Sequence, residues 1–215
     1  MRMTARYVVH GTWLSGPTYK VALLLSLLGQ KFDYEHIDLQ KGKNKEPEFL
    51  AKNRFGQVPC LTDRKTHQSL AQSGVILEYI AENEGRFLPA APQERLRARE
   101  WMFWDFDRLV PNIYRPRARK LGFRPAEAST LQMYMNDGNA ALKVLNDNLA
   151  SHPWLLGADP TIADVDVYGV VSYAPEADFD MEQYSHVGAW MARMQSLPGF
   201  RPADRLLPRQ SAADV

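Results

Sequence analysis

Apolar positions along the chain follow two different periods, and the change between them divides it. Tyr7-Val8-Val9 is a short β-prone run. Ser15-Gly16-Pro17 then supplies helix-start chemistry, a capping hydroxyl with a proline tolerated in the first turn. Val21, Leu24, Leu25 and Leu28 follow at helical spacing, and Gly29 offers the stop. Phe32 to Leu39 alternates in part and predicts a second strand, and Glu46 to Lys52 a short helix. Val58 to Thr62 and Gln68 to Leu70 flank the polar turn Asp63-Arg64-Lys65, which predicts an antiparallel hairpin. Ser73 to Glu84 reads as a helix with Ile76, Tyr79 and Ile80 on one face and Gly85 at its end. The order β-α-β, short helix, β-β-α favours a right-handed parallel crossover plus an antiparallel pair, a four-stranded α/β layer with helices on both faces.

Beyond that point strand signals stop. Arg86 to Pro92 carries two prolines and no clear period, and reads as a linker. Gln93 to about Val110 is a helix rich in arginine and aromatic residues. Pro125 is suited to open another, with Leu131, Met135, Leu142, Leu145 and Leu149 on one stripe. Gly138 on the same stripe predicts a close approach by a neighbouring helix. Further helices start near Thr161 and around Val187, Trp190, Met191 and Met194, the last stopping at Pro198-Gly199, and Leu206 onward reads as a partly ordered tail. The expected domains are 1–85 (α/β), a linker over 86–92, and an all-helical domain over 93–215.

Composition narrows the function without naming it. A formal charge of +1 gives no basic excess for nucleic acid. The longest apolar run, Val21 to Leu28, is interrupted by Ser26 and far too short for a bilayer. The single cysteine, Cys60, excludes an internal disulfide and any C-x-x-C pair, and fits a reducing compartment. With no apolar signal region at the N-terminus, the expectation is a cytoplasmic globular protein.

Three segments carry candidate chemistry. At His10-Gly11-Thr12-Trp13-Leu14-Ser15, a strand runs into a helix start, where free N–H groups and the positive end of the helix dipole favour an anion. Reactive thiols occur at such places, and here Ser15 could donate its hydroxyl hydrogen to a thiolate brought by a ligand. Lowering a thiol pKa by about two units takes about 2.7 kcal/mol; the plainer reading is an ordinary N-cap. At Gln57-Val58-Pro59, a cis peptide would turn the Val58 backbone outward to pair with a peptide-like ligand, as an added strand does, and a trans proline would merely open the strand. At Gln72-Ser73, an amide, a hydroxyl and helix-start N–H groups make a carboxylate receptor or a simple cap. No H-E-x-x-H or other metal-ligand cluster, phosphate loop or Ser-His-Asp pattern is present.

Taken in order on this frame, the three segments resemble the N-terminal, thioredoxin-like domain of glutathione transferases. Ser15 through Val21 with Leu27-Leu28-Gly29 is similar to the segment of serine-type, bacterial-like members, and Asn53 through Pro59 resembles the family's N-P-x-G-x-V-P with Arg54 in place of proline. Trp154-Leu155-Leu156-Gly157, Pro160 through Asp164 and Leu197-Pro198-Gly199-Phe200 resemble the helical half; Thr161 and Asp164 have capping-box spacing. The resemblance implies a thioredoxin-like α/β domain followed by an all-α bundle, a glutathione co-substrate with no metal, and a homodimer that binds neither nucleic acid nor membrane. By the same resemblance Ser15 activates the glutathione thiol, with Thr12 and Thr18 as rival hydroxyls, and Val58 beside cis Pro59 pairs with the cysteinyl backbone. Gln72 and Ser73 hold the γ-glutamyl carboxylate, and Asn44 and Gln57 meet the glycine end, with Lys41 and Lys43 as alternatives. Tyr7 lies too early in its strand to match the tyrosine of other branches, and Cys60 reads as a small buried hydrophobe. The co-substrate would sit over Trp13, Leu14 and the Gln93–Val110 helix, where Trp101, Phe103, Trp104 and Phe106 could form a wall, though most read as core. Arg108 and Arg115, with Arg117 and Arg119, read as a solvated basic run or, facing the cleft, as favouring an anionic co-substrate. The implied activity is conjugation of glutathione to a small electrophile in detoxification. The alternatives are a glutathione-dependent peroxidase, disulfide reductase or isomerase, or a non-catalytic binding protein.

Overall fold

The computed structural model describes residues 5–209. Along the chain run β1 (Tyr7–Gly11), α1 (Gly16–Leu27), β2 (Phe32–His36), a 3-10 turn (Lys43–Lys45) and α2 (Pro47–Lys52), then β3 (Cys60–Asp63), β4 (Gln68–Ala71) and α3 (Ser73–Glu84). There follow α4 (Pro92–Trp104), a π-helical turn (Asp105–Leu109), α5 (Val110–Lys120), α6 (Ala128–Leu149), α7 (Ile162–Val171), a 3-10 turn (Pro175–Ala177), α8 (Ser185–Ser196) and α9 (Ala203–Leu206). No helix among the described residues is long and apolar enough to cross a membrane.

Two compact units emerge. One holds residues 5–86 together with 197–209, and the other residues 87–196. The expected helical domain over 93–215 thus loses its last stretch to the first unit. Leu206 and Leu207, expected in a partly ordered tail, are 8% and 1% exposed; the rest of that tail, 210–215, lies outside the described residues.

In the first unit the sheet order is β2-β1-β3-β4, with β1 and β2 parallel and β3 antiparallel to both β1 and β4. α1 and α3 pack together on one face. Tyr79 of α3 donates to Asp63 at 2.8 Å, placing Asp63 and Leu61 toward that face. Cys60 therefore points the other way, where Phe49 of α2 packs with it and Ile37, so helices cover both faces. The α3 core face is Ile76, Leu77, Ile80 and Ala81, whereas Tyr79, expected there, is only half-buried and spends its hydroxyl on Asp63. β2 ends at His36, three residues short of expectation, because Asp38 Oδ1 accepts from the Gln40 and Lys41 N–H groups and turns the chain.

In the second unit, the helix expected from Gln93 continues past Val110 into α5. Pro111 lacks the N–H that an unbroken α-helix would need, and the widened π-helical turn just before it absorbs the mismatch. Pro125 does not open α6; Glu127 is its N-cap. Gly138 is a point of close approach, as expected, but its neighbour is a ring rather than a helix backbone: a Cβ there would lie 2.5 Å from Phe179 Cζ. Thr161 and Asp164 form the capping box of α7, and Asp164 is completely buried. Its Oδ1 accepts from Leu155 N and Trp190 Nε1, both at 3.0 Å, and its Oδ2 from Thr161 N at 2.9 Å. Burial raises its pKa, and these hydrogen bonds work against that rise.

Candidate active site

Strand register brings the three candidate segments to one end of the sheet. His10 pairs with Cys60, and Cys60 with Ala71. The next residues outward are Gly11-Thr12 on β1, Val58-Pro59 before β3 and Gln72-Ser73 after β4, so the three lie side by side. This is also the end where parallel β1 and β2 finish, the usual place for ligands in such sheets.

Ser15 is the N-cap of α1, with extended backbone (φ −90°, ψ 111°). Its N–H donates to Thr12 O at 3.0 Å, and its Oγ accepts from Thr18 N at 3.2 Å. Oγ makes no other hydrogen bond among the described residues, so its hydrogen is available to an acceptor above the positive end of α1. The rival hydroxyls are enclosed: Thr12 is 4% exposed and Thr18 fully buried against Gly11. Tyr7 is also fully buried and donates to Glu84 at 2.7 Å. Cys60 is sealed within the sheet, and burial pushes its thiol up to about 11. Neither offers a nucleophile.

The Val58–Pro59 peptide is cis. Among the described residues, the Val58 N–H and C=O have no hydrogen-bond partner. Asn53, 3% exposed, holds the preceding loop by donating to Gln57 O at 2.6 Å and accepting from Phe55 N at 3.0 Å. Gln57 itself is exposed. Arg54, the departure from the family pattern, is exposed and stacks on Phe55 at 4.6 Å, away from these bonds. Asn44 uses its amide on Gly56 O at 2.7 Å, and Lys45 Nζ reaches the same oxygen at 3.0 Å. This tie between the α2 approach and the loop had no signal in the sequence beyond the glycine that the turn requires at φ +58°.

Gln72 is the N-cap of α3 and sits at φ +70°, ψ 116°, a conformation that non-glycine residues rarely hold. Its side chain is exposed, and Ser73 is the first helical residue. No side chain caps this helix, so its first N–H groups face outward to whatever carboxylate approaches.

Trp13 and Leu14, both half-exposed, belong to the first unit; Trp104, Arg108 and Arg115 belong to the second. Trp104 packs edge-on against Trp101 at 5.1 Å, while Phe103 and Phe106, at 73% and 67% exposed, are not core. Arg108 pairs with Asp107 at 2.8 Å, and Arg115 donates to the Tyr134 hydroxyl at 2.6 Å. Arg117 departs from the basic run: it is 8% exposed, lies over the Tyr173 ring and pairs with Glu176 at 2.7 Å. Sequence reading passed over one further side chain in the first unit, Arg209, whose guanidinium stacks on Trp13 at 4.4 Å.

Known proteins agree with this architecture. The family model "Glutathione S-transferase, N-terminal domain" matches residues 9–82, and "Glutathione S-transferase, C-terminal domain" matches residues 130–193. The disulfide-bond oxidoreductase YfcG of Escherichia coli is 29% identical, over 84% of this chain and 86% of its own. Maleylacetoacetate isomerase of Rhizobium meliloti is 28% identical over 96% of this chain and all of its own (100%). The crystal structure of a glutathione S-transferase from Pseudomonas fluorescens superposes with a TM-score of 0.88 at 32% identity, covering 93% of this chain and 99% of that one. Ure2p in complex with glutathione shares the fold at 20% identity and a TM-score of 0.83. A four-stranded thioredoxin-like sheet, a helical second half and matches over both place this chain in the glutathione transferase superfamily.

Proposed function

We propose that the protein binds glutathione at the outer end of its sheet and joins the glutathione sulfur to a small electrophile. One observation carries the reading: a serine with a free hydroxyl hydrogen at the start of α1 stands at the same sheet end as the unpaired Val58 backbone and the uncapped start of α3. These are a thiolate donor, a peptide-pairing edge and a carboxylate receptor, the three contacts a γ-glutamyl tripeptide needs. Val58 pairs with the cysteinyl backbone beside Pro59, and Gln72 and Ser73 receive the γ-glutamyl carboxylate. Exposed Gln57, with Asn44 behind it, meets the glycine end. Ser15 donates to the sulfur as the thiol loses its proton. The thiolate then attacks the electrophilic atom, a C–S bond forms, and the leaving group departs with its electron pair. The work of the site is thiolate stabilisation and proximity. Trp13 and Leu14 are the proposed co-substrate contacts of the first unit.

A second reading has a specific basis in the likeness to a disulfide-bond oxidoreductase. There the same thiolate attacks a mixed disulfide, one S–S bond replaces another, and the displaced thiolate takes up a proton. Buried Cys60 takes no part in either reaction. Isomerase chemistry, suggested by the second relative, would use the sulfur as a transient adduct. We also assign the protein to the cytoplasm, to detoxification and to a homodimer. The last has support in the exposed apolar side chains Phe103, Phe106, Phe55 and Val75, which a partner subunit would cover.

Titration calorimetry with glutathione, followed by turnover of an aryl halide and of a mixed glutathione disulfide, tests this. Saturable binding with aryl-halide turnover supports the transferase, and turnover of the disulfide alone the second reading. An absence of glutathione binding would leave a scaffold without this function.

A further inference from the structure

Residues 197–209 are pinned across α1 at several points. Ser26 Oγ donates to Gly199 O at 2.5 Å, and the Tyr19 hydroxyl donates to Arg201 O at 3.0 Å. Leu206 and Leu207 are then buried, so the chain arrives at the loop that carries Ser15 with little freedom left. Its last described residue, Arg209, lays its guanidinium on Trp13, two positions before Ser15.

Arg209 also lines a groove of about 560 Å³ where β2 ends, with Glu35, Asp38, Lys41, Lys43, Glu46, Glu48 and Lys52 on its other walls. Three of the four carboxylates of this groove are paired with lysines, and the fourth, Glu35, lies against a histidine. Asp38 pairs with Lys41 at 3.4 Å, Glu46 with Lys43 at 2.8 Å, Glu48 with Lys52 at 3.3 Å and Glu35 with His10 at 2.6 Å. Arg209 pairs with none of them and has no hydrogen-bond partner among the described residues. A guanidinium held flat on an indole keeps its edge donors free and planar, the arrangement that takes a carboxylate through two parallel hydrogen bonds.

We propose that Arg209 is a specificity-determining residue that selects acceptors carrying a carboxylate. The inference rests on the transferase reading above. Trp13 orients the guanidinium, no carboxylate of the groove forms an ion pair with it, and an acceptor carboxylate docks on its edge while the reacting carbon faces the sulfur.

A matched pair of aryl halides tests this, 4-chloro-3-nitrobenzoate and its methyl ester. In both, the C–S bond forms, the C–Cl bond breaks, chloride leaves with the electron pair and the thiol proton goes to solvent. Arg209→Ala should raise KM for the carboxylate about tenfold, the worth of one charge-assisted contact, and leave kcat, KM for the ester and KM for glutathione within about twofold. Arg209→Lys should recover part of the loss, since it keeps the charge without the fork. Equal changes for acid and ester would assign Arg209 to packing on Trp13. A raised KM for glutathione would assign it to the tripeptide's own carboxylate, and no change would remove it from the site; each result overturns the proposal. Should neither halide turn over, the two product conjugates bound by calorimetry give the same comparison. Glutathione calorimetry alone separates failure of this inference from failure of the transferase reading.

Discussion

Gln72 holds a backbone conformation that costs its side chain about 1–3 kcal/mol, and the turn into α3 gives no local return for it. The proposed carboxylate contact at Gln72 is a function for which such strain would be retained. Gln72→Gly should therefore raise the unfolding free energy by about 1 kcal/mol in urea titrations while weakening glutathione binding in calorimetry. Stabilisation with unchanged affinity would show that the amide serves no ligand. Cys60 gives the opposite case, chemistry suppressed by burial. Its thiol is raised from an ordinary 9.0 to about 11, so almost no thiolate exists at pH 8 and native protein should resist iodoacetamide there. Denaturant should expose the one reactive thiol. Because this acid releases its proton more readily when unfolded, it withdraws stability as pH climbs from about 9 to about 11, and none below that.

Elements were legible in the sequence wherever a local rule decided them. Ser15 with Gly16-Pro17, Thr161 with Asp164, and Gly85 each mark a boundary through chemistry confined to a few residues, and the helices begin or end there. Boundaries set from a distance were not legible. The π-helical turn answers Pro111 from within an otherwise continuous helix, and Pro125, a good first-turn residue, yields to Glu127. The same division holds in the site. Sequence spacing picked out Ser15, Val58-Pro59 and Gln72-Ser73, and strand register explains why they meet. Asn53 and Lys45 act through loop carbonyls whose positions no short-range pattern encodes. Asp164 is where an element and its packing depend on one side chain. Asp164→Ala would leave Trp190 Nε1, Leu155 N and Thr161 N buried without acceptors, costing about 3 kcal/mol or more. Thermal unfolding should then fall by about 6–12 °C, and a drop within about 2 °C would mean that water replaces the carboxylate.

At the scale of the whole molecule, the chain leaves its first unit after residue 86 and returns to it at residue 197. The return was hidden because it is held by backbone carbonyls on single hydroxyls and by two adjacent leucines, which leave no hydrophobic period. Gly199 is the tightest of them. Its φ of +85° disfavours any side chain, and a Cβ would lie 2.4 Å from Ser26 O. Gly199→Ala should lift the terminal stretch from α1, speeding tryptic cleavage after Arg205 while the circular dichroism of the helices is kept. Unaltered cleavage would show that Leu206 and Leu207 alone secure the segment.

Binding of a thiol ligand through a helix-capping serine is most directly examined by the ultraviolet thiolate absorbance of bound glutathione as pH is varied, in the unmodified protein, Ser15→Ala and Ser15→Asn. Asparagine keeps the cap acceptor for Thr18 N but brings an amide donor in place of the hydroxyl, whereas alanine removes both acceptor and donor. The expected result is a bound thiol about two units below that of free glutathione, restored nearly to the free value in Ser15→Ala, with Ser15→Asn retaining the stability that Ser15→Ala loses. A lowered thiol that persists in Ser15→Ala, with glutathione still bound, would assign the activation to the helix start alone and leave the serine only its cap.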